Sequence, residues 1–427
     1  MSAAHSLLGA FYDTQSAAHL DERAPSVFHH GPEPKSRPFI EDMAFQNAYM
    51  GTFLSTANTT TGGMVKFRIP SNNFAYLGKS ILEWVLAAGT TGGGSVAAYD
   101  QFLAFNLVRA YQWTYNGVNV FSGTTLDLKY LYDRWSTQRK TDEAERLRGP
   151  LPLLQRALDW SGGVTCYTEI PSPWNAKIWP LPMTLANDLE LTITIPPISE
   201  CIVQIGGTPI STPSVTFTTQ RLWYSYIHAP THEKGESHAM SLTAAGPDKP
   251  YAGIIRPSRP VLVATQTNTL VNGTNTVDIQ LRGFANAHVD DFCLVIRESG
   301  DLAALNYHAH NYRGDSLDPD VVVASYGLIE SNGNVLRSSL VPALRKMRHY
   351  ESHMLSSSAT NNFYLQIGLA PEHDKAYTGG LPLSSFQDPV FRVVLTSTGA
   401  QTMQFDLLMQ TVNHIQVANA SIRQVLA

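Results

Sequence analysis

The chain has 427 residues, enough for two domains, and 43% of them are hydrophobic, so a large core can be buried. Charged residues make up only 15%, against about 25% in typical soluble domains, and depletion of charge is typical of obligate interfaces. The net charge of -5 and the pI near 6.3 argue against direct packaging of nucleic acid, which needs a basic face to displace counterions.

The first 45 residues contain turn-forming sequence such as "HHGPEPKSRP" and no regular pattern. We expect residues 1–45 to form an N-terminal arm that becomes ordered against a partner. The arm lacks the charged and apolar regions of a signal peptide, and no window of the chain has the roughly 18 apolar residues of a membrane helix. These features predict a soluble protein made in the cytoplasm.

A period of two dominates the rest of the chain and predicts β-strands. In residues 189–195, leucines and isoleucines alternate with Glu190, Thr192 and Thr194, which is typical of a strand with one buried face. Asn116-Gly117 lies between two such patterns and predicts a two-residue hairpin, because both residue types tolerate positive φ. The other predicted strands are residues 65–69, 107–115, 221–227, 277–282, 292–296, 364–369, 391–396 and 403–410.

Few segments have a helical pattern. The best are residues 125–135, residues 143–158, which Pro150 and Pro152 interrupt, and residues 340–350. Many short strands, few helices and frequent turn residues predict an all-β protein of sandwiches or barrels of the jelly-roll kind, with a few short helices in loops. We place the first barrel at residues 46–229, a polar linker at 230–245 and the second barrel at 246–427.

A segment rich in proline and tryptophan precedes the strand at residues 189–195. Pro171, Pro173 and Pro182 restrict φ, and Trp174 and Trp179 offer large apolar surfaces, so we expect a rigid corner that sets the angle at which the strand begins. The alternative is that this segment is an ordinary rigid loop, which has no role in contacts with other molecules.

Chemical motifs are weak in this sequence. His308 and His310 lie two residues apart, so on a strand they would face the same side and could share a metal, but the glutamate and second motif of a cupin are missing. No catalytic motif or cofactor motif stands out. The three cysteines, Cys166, Cys201 and Cys293, have no Cys-x-x-Cys spacing and are predicted to be free and buried.

Several blocks, in order, resemble the double jelly-roll major capsid proteins of icosahedral DNA viruses. The hairpin at Asn116-Gly117 resembles that family's glycine hairpin, and residues 171–183 resemble its Pro-x-Pro-aromatic loop and its Leu-Pro-Leu segment. Residues 221–240 resemble the last strand of the first barrel, residues 361–385 a late strand and turn, and residues 403–417 the closing strand.

The resemblance implies a fold of two consecutive eight-stranded jelly-roll barrels. It also implies a structural protein, not an enzyme, that trimerises into pseudo-hexagonal capsomers and tiles the shell of a virion. Its implied partners are copies of itself, penton and minor capsid proteins, and an internal membrane facing the N-terminal arm. Loops at residues 301–320 and 136–163 would form an outer tower. Two alternatives stay open: a cupin-like metal enzyme centred on His308 and His310, and a glycan-binding jelly-roll module.

Overall fold

The structure is a computed structural model. It describes residues 40–51, 62–70, 75–91, 95–115, 117–128, 146–148, 151–171, 179–180, 188–207, 210–228, 254–255, 258–281, 288–298, 321–330, 333, 335–340, 364–368, 381–412, 414–418 and 421–426.

In the first half of the chain the described strands are β1 (Ile40–Asn47), β2 (Met50–Gly51), β3 (Gly63–Ile69), β4 (Ala75–Leu86), β5 (Ser95–Tyr99), β6 (Ala110–Tyr115), β7 (Val118–Thr124), β8 (Val164–Ile170), β9 (Trp179–Pro180), β10 (Leu189–Ile195), β11 (Ile202–Gly207) and β12 (Phe217–His228). The helices between them whose bounds are described in full are α1 (Leu103–Asn106) and α2 (Leu153–Gly162).

In the second half the described strands are β13 (Ile254–Ile255), β14 (Ser258–Leu270), β15 (Gly273–Gln280), β16 (His288–Glu298), β17 (Val321–Ile329), β18 (Val335–Leu340), β19 (Tyr364–Gly368), β20 (Leu381–Pro382), β21 (Val390–Ser397), β22 (Gln401–Val412), β23 (His414–Ala418) and β24 (Ser421–Leu426).

Ten of the twelve strands of the first half form two antiparallel sheets, and β5 and β11 form a separate antiparallel pair. Sheet 1 has the order β1-β12-β4-β8, and sheet 2 has the order β2-β3-β10-β6-β7. The inward faces of both sheets contribute to one buried cluster that includes Phe67, Leu82, Trp84, Trp113 and Leu191. Sheet 1 together with β3, β10, β6 and β7 gives the eight strands of a jelly roll.

The second half repeats this arrangement. Sheet 3 has the order β14-β22-β16-β19 and sheet 4 the order β15-β21-β17-β18, and their inward faces share a second buried cluster that includes Phe292, Leu294, Phe391 and Phe405. Each strand of sheets 3 and 4 has a counterpart, in the same sequence order, in the first half. The prediction of two eight-stranded jelly rolls is therefore confirmed.

The repeat extends to two short strands outside the main sheet order. β9 pairs with the start of β4, where Tyr76 lies opposite Pro180, and β20 pairs with the start of β16, where His288 lies opposite Pro382. These two proline pairs fix the register between the rolls, so positions in sheet 1 and sheet 3 can be compared residue by residue.

The N-terminal boundary of the first roll differs from the prediction. Residues 40–45 were assigned to the arm, but Ile40–Asn47 pair along their whole length with β12. The strand was missed because its alternation is inverted. Met43 and Phe45 are 56% and 45% exposed, and the inward positions include Ala44 and Gln46, whose amide donates to the Tyr224 hydroxyl at 3.3 Å.

The predicted helices have mixed outcomes. Residues 125–128 are helical, and α2 begins directly after Pro152, as the proline interruption indicated. The prediction is wrong at Leu340, because this residue ends β18, and the rest of the predicted helix at 340–350 lies outside the described residues. The predicted linker at 230–245 also lies outside them.

Two further features complete the described chain. β13, which precedes the second roll, forms a separate three-stranded sheet with β23 and β24, which follow the roll's last strand. Cys166, Cys201 and Cys293 are buried free thiols, as predicted, and burial raises the pKa of the Cys166 thiol. Within the described residues, we find no helix with the length and apolar character needed to cross a membrane.

Candidate assembly surface

The outer faces of sheets 2 and 4 carry ion pairs and hydrogen bonds beside a few exposed apolar residues, Met64 and Val118 on sheet 2 and Val335 on sheet 4. On sheet 2, the Arg68 guanidinium lies 4.8 Å from the centre of the Tyr49 ring and 3.1 Å from Glu190, which accepts a 2.8 Å hydrogen bond from the Tyr49 hydroxyl. Burial, followed by the bond to Glu190, raises the pKa of Tyr49. On sheet 4, Arg392 forms a two-pronged ion pair with Asp278, with both distances at 2.7 Å. Such faces are stable in contact with water.

The outer face of sheet 1 has a cluster of apolar and aromatic side chains, flanked by the exposed polar residues Asn47, Lys79 and Glu169. We define the sheet 1 outer face by Met43, Phe45, Ile81, Trp223 and Tyr167. Phe45 packs on Trp223 with ring centroids 4.9 Å apart, and Trp223 lies opposite Ile81 in the sheet. Met43 and Phe45 are the most exposed members, at 56% and 45%. An exposed patch of this kind is typical of a surface that another molecule covers.

One carboxylate holds the aromatic side chains of this face in place. Glu83, 8% exposed, accepts a 2.7 Å hydrogen bond from Trp223 Nε1 and a longer one of 3.4 Å from the Tyr167 hydroxyl. Arg221 lies 3.8 Å from Glu83 and covers the Phe45 ring at 5.1 Å. Burial, with the neighbouring Glu83 as the next cause, raises the pKa of Tyr167. The face is therefore preorganised before any partner arrives.

The centre of the matching face of sheet 3 is covered within the chain. Counting from the two proline pairs, Ile81 and Glu83 correspond to Cys293 and Val295 on β16. Cys293 lies opposite Leu408, and Val295 opposite Asp406. Val295 is fully buried, and the other three residues are each 1% exposed. The centre of this face is thus buried in the second roll, although Thr265, Thr267 and Thr269 on β14 are exposed. In the first roll, Met43 and Phe45 on the edge strand β1 are exposed.

Only part of the predicted corner lies within the described residues. The carbonyl of Pro171 accepts a 2.8 Å hydrogen bond from Trp113 Nε1, and the backbone of Trp179 pairs with Leu77 in sheet 1. Pro173, Trp174 and Pro182 lie outside the described residues. The corner's role in assembly stays a prediction.

The second roll has a corner at the matching place that the sequence analysis missed. Leu381-Pro382 forms β20 and is followed by a 3-10 turn at Leu383–Ser385 that leads to β21. The signal was a second apolar-Pro-Leu sequence shortly before a strand of alternating pattern.

The predicted hairpin is described in part. Tyr115 lies opposite Val118, which leaves two residues for the turn, and Gly117 has a φ of 74°. Asn116 lies outside the described residues.

The candidate metal ligands His308 and His310 lie outside the described residues as well. Within the described part of the chain, no group of three or more His, Cys, Asp or Glu residues could hold a metal ion. The cupin-like hypothesis gains no support there.

Comparisons with known proteins give no match by sequence, either to a protein-family model or to a curated protein. Solved structures do match. VP54 of PBCV-1, fitted into a reconstruction of the virophage Sputnik, has a TM-score of 0.61 at 12% identity and covers 92% of this chain and 98% of its own.

Two other capsid proteins align over similar lengths. The Faustovirus major capsid protein has a TM-score of 0.55 at 11% identity and covers 89% of this chain and 91% of its own. The MCP of STIV, the Sulfolobus Turreted Icosahedral Virus, has a TM-score of 0.51 at 15% identity, with 87% and 96% covered. The agreement of these structures over most of each chain establishes the fold, although the sequence identities are low. The chain is a double jelly roll of the kind these viral capsid proteins have.

Proposed function

We propose that this protein is the major capsid protein of a DNA virus and that its function is self-assembly into the icosahedral shell of the virion. The observation that carries the proposal is the end-to-end match of one chain with two jelly rolls to VP54 of PBCV-1, over 92% of this chain and 98% of the other.

The surface of the molecule supports this proposal on physical grounds. The sheet 1 outer face spans four strands about 4.8 Å apart and about seven residues long, which gives an area of about 440 Å². A standard interface buries about 800 Å² on each partner, so this face supplies about half of one such contact. The low charged fraction of 15% fits a protein that buries much of its remaining surface in an assembly.

In the proposed assembly three copies form a pseudo-hexagonal capsomer, and capsomers tile the shell. Each contact in the trimer is heterologous, so one flank of a copy meets a different flank of the next and the rotation closes as a ring. Penton and minor capsid proteins complete the shell, and the N-terminal arm faces them or an internal membrane. Synthesis takes place in the host cytoplasm. The net charge of -5 fits a shell that does not bind nucleic acid directly.

The mass of the purified protein in solution tests the proposal. We expect a particle of about 141 kDa, three times the 46.9 kDa of the chain. Phe45→Lys places a charge on the sheet 1 outer face and is expected to weaken assembly roughly tenfold or more. Met64→Lys is the matched control, because Met64 is also 45% exposed but lies on sheet 2. A wild-type monomer at all concentrations would overturn the proposal.

A further inference from the structure

Helix α2 has its charged and apolar residues in the reverse of the usual arrangement. A helix on the surface of a soluble protein turns its apolar face to the core and its charged face to water. In α2 the two charged residues, Arg156 and Asp159, are held against the first roll, whereas Leu154 and Leu158 are 74% and 55% exposed. None of the exposed residues of α2 is charged.

Contacts on the inner side fix the helix in this orientation. Asp159 is 6% exposed and forms an ion pair with Arg148, whose Nε lies 2.9 Å from the Asp159 carboxylate. Arg156 donates to the carbonyl of Tyr99 at 2.8 Å, and the Trp160 ring packs edge-on against the Tyr99 ring with centroids 5.1 Å apart. A rotation that buried the leucines would break these contacts, so the leucines face outward in a single copy of the chain.

The exposed leucines form a ridge along the helix. Leu154 and Leu158 are four residues apart and therefore lie next to each other on one face, and Leu153, 44% exposed, flanks them. A row of apolar side chains with this spacing can pack into the grooves of another helix. A partner that covers the ridge has to offer an apolar face without charge, because burying an unpaired charge there is costly.

The chain itself contains a surface of this chemistry. Of the two helices described in full, α1 is buried, and α2 is the one with an exposed apolar ridge. A second copy of α2 therefore meets the requirements for the partner. We propose that α2 of one copy packs against α2 of a second copy, with Leu154 and Leu158 of both copies between the two helices. The contact is isologous, since both copies use the same surface.

This inference rests on the proposed self-assembly and adds a contact that a trimer cannot make. Contacts within a three-fold trimer are heterologous, whereas the contact between two α2 helices is two-fold, so it joins copies in different capsomers. Three leucine side chains supply only a small part of the area of about 800 Å² that each partner buries in a standard interface. One contact is therefore weak, but each capsomer carries three copies of α2, and several weak contacts together hold it to its neighbours.

Disulfide cross-linking tests the contact. Leu154→Cys and Leu158→Cys are introduced separately into the full chain, and Met64→Cys, 45% exposed on sheet 2, is the control. The native cysteines are all buried and contribute little background. After mild oxidation we expect at least one of the two α2 variants to give linked pairs of chains, at least about fivefold more than the control gives. Each linked pair has a mass of about 94 kDa, twice 46.9 kDa, and joins two trimers.

Leu158→Lys tests the same contact without cross-linking. The substitution buries an unpaired charge between the two helices, so we expect the protein concentration at which trimers associate to rise by about tenfold or more. The trimer itself should keep its mass of about 141 kDa, three times 46.9 kDa. Met64→Lys is the matched control and should change neither quantity. Light scattering over a concentration series measures both.

The outcomes separate this inference from the proposed function. Trimers that associate equally well with Leu158→Lys, and whose α2 variants cross-link no better than the control, would overturn the contact and leave the proposed function intact. Linked pairs confined to single trimers would place the contact inside the capsomer and would overturn the inference as well. A wild-type protein that stays monomeric at all concentrations would overturn the proposed function, and this inference with it.

Discussion

Trp113 and Trp84 are both fully buried in the first roll, but their indole nitrogens have different surroundings. Trp113 Nε1 donates to the carbonyl of Pro171 at 2.8 Å and so links β6 to the segment after β8. Trp84 Nε1 has no hydrogen-bond partner among the described residues. A buried N–H group without a partner contributes nothing favourable to the stability of the fold. A buried N–H group that donates a hydrogen bond stabilises the fold and also satisfies its acceptor.

Replacing each tryptophan by phenylalanine separates these roles. Both variants lose similar volume, but Trp113→Phe also leaves the Pro171 carbonyl without its donor. We expect Trp113→Phe to lower the free energy of unfolding by about 1–2 kcal/mol more than Trp84→Phe does. Chemical denaturation of the two variants gives the comparison. Equal losses would show that the Pro171 bond contributes nothing.

This contact also marks a limit of the sequence analysis. The prolines of the corner could be identified from the chain, and Trp174 and Trp179 were expected to fill it, because they are its neighbours in sequence. The tryptophan seen to contact Pro171 is Trp113, which comes from the hairpin 58 residues earlier. Local pattern cannot reveal such a contact, because it depends on how two sheets pack.

At the scale of single elements, two glycines end regular segments with positive φ but differ in the space around them. Gly117 has a φ of 74° and would have no atom within 4 Å of an added Cβ, whereas a Cβ on Gly163 would lie 2.7 Å from the carbonyl oxygen of Leu86. Gly163 ends α2 at φ 83° and ψ 159°, a region that is almost exclusive to glycine.

Alanine substitutions should therefore have unequal costs. Gly117→Ala is expected to cost about 1–2 kcal/mol, because only the backbone conformation is strained. Gly163→Ala adds a clash with the backbone, so its cost should exceed about 3 kcal/mol. Thermal unfolding with circular dichroism measures both, and a Gly163→Ala variant as stable as Gly117→Ala would contradict the geometry described for the end of α2.

Glu200 lies in a 3-10 turn at Ile198–Cys201, directly before β11, and gives a prediction that depends on pH. Its carboxylate accepts hydrogen bonds from Arg109 at 2.7 and 2.9 Å, yet burial raises its pKa above the ordinary 4.5 although Arg109 acts to lower it. A raised pKa means that the folded state favours the protonated form. The resulting stabilisation is full below pH 4.5 and is lost as the pH rises through the raised pKa.

Glu200→Gln removes this titration. We compare the melting temperatures of the wild type and the variant. The wild-type value minus the variant value is expected to decrease as the pH rises from about 4 to about 7. Melting curves of both proteins in matched buffers test the sign. A difference that grows with pH would mean that the ion pair with Arg109 outweighs burial.

The element scale also shows why one strand was predictable and another was not. β10 has leucine and isoleucine at every inward position, so its alternation predicted the strand that the structure has at Leu189–Ile195. β1 has the opposite arrangement, with Met43 and Phe45 on its outward side. A search for strands whose apolar residues are buried inside one chain therefore misses it. The residues that obscured β1 are the same residues that form the candidate assembly surface.

At the scale of the whole molecule, the duplication of the jelly roll is evident in strand order and register but not in residue identities. Ile81 and Trp223 correspond to Cys293 and Leu408, so each position keeps its place in the sheet while its residue changes with its surroundings. The sequence could predict two barrels from length and periodicity. It could not predict which outer face is covered inside the chain and which one is open.

The central claim is that copies of this chain assemble through their flanks into capsomers. Negative-stain electron microscopy of the purified protein at high concentration tests it most directly. We predict uniform particles with a hexagonal outline, each built from three copies, that associate edge to edge into sheets or closed shells. Single particles the size of one chain, without hexagonal outlines at any concentration, would contradict the account.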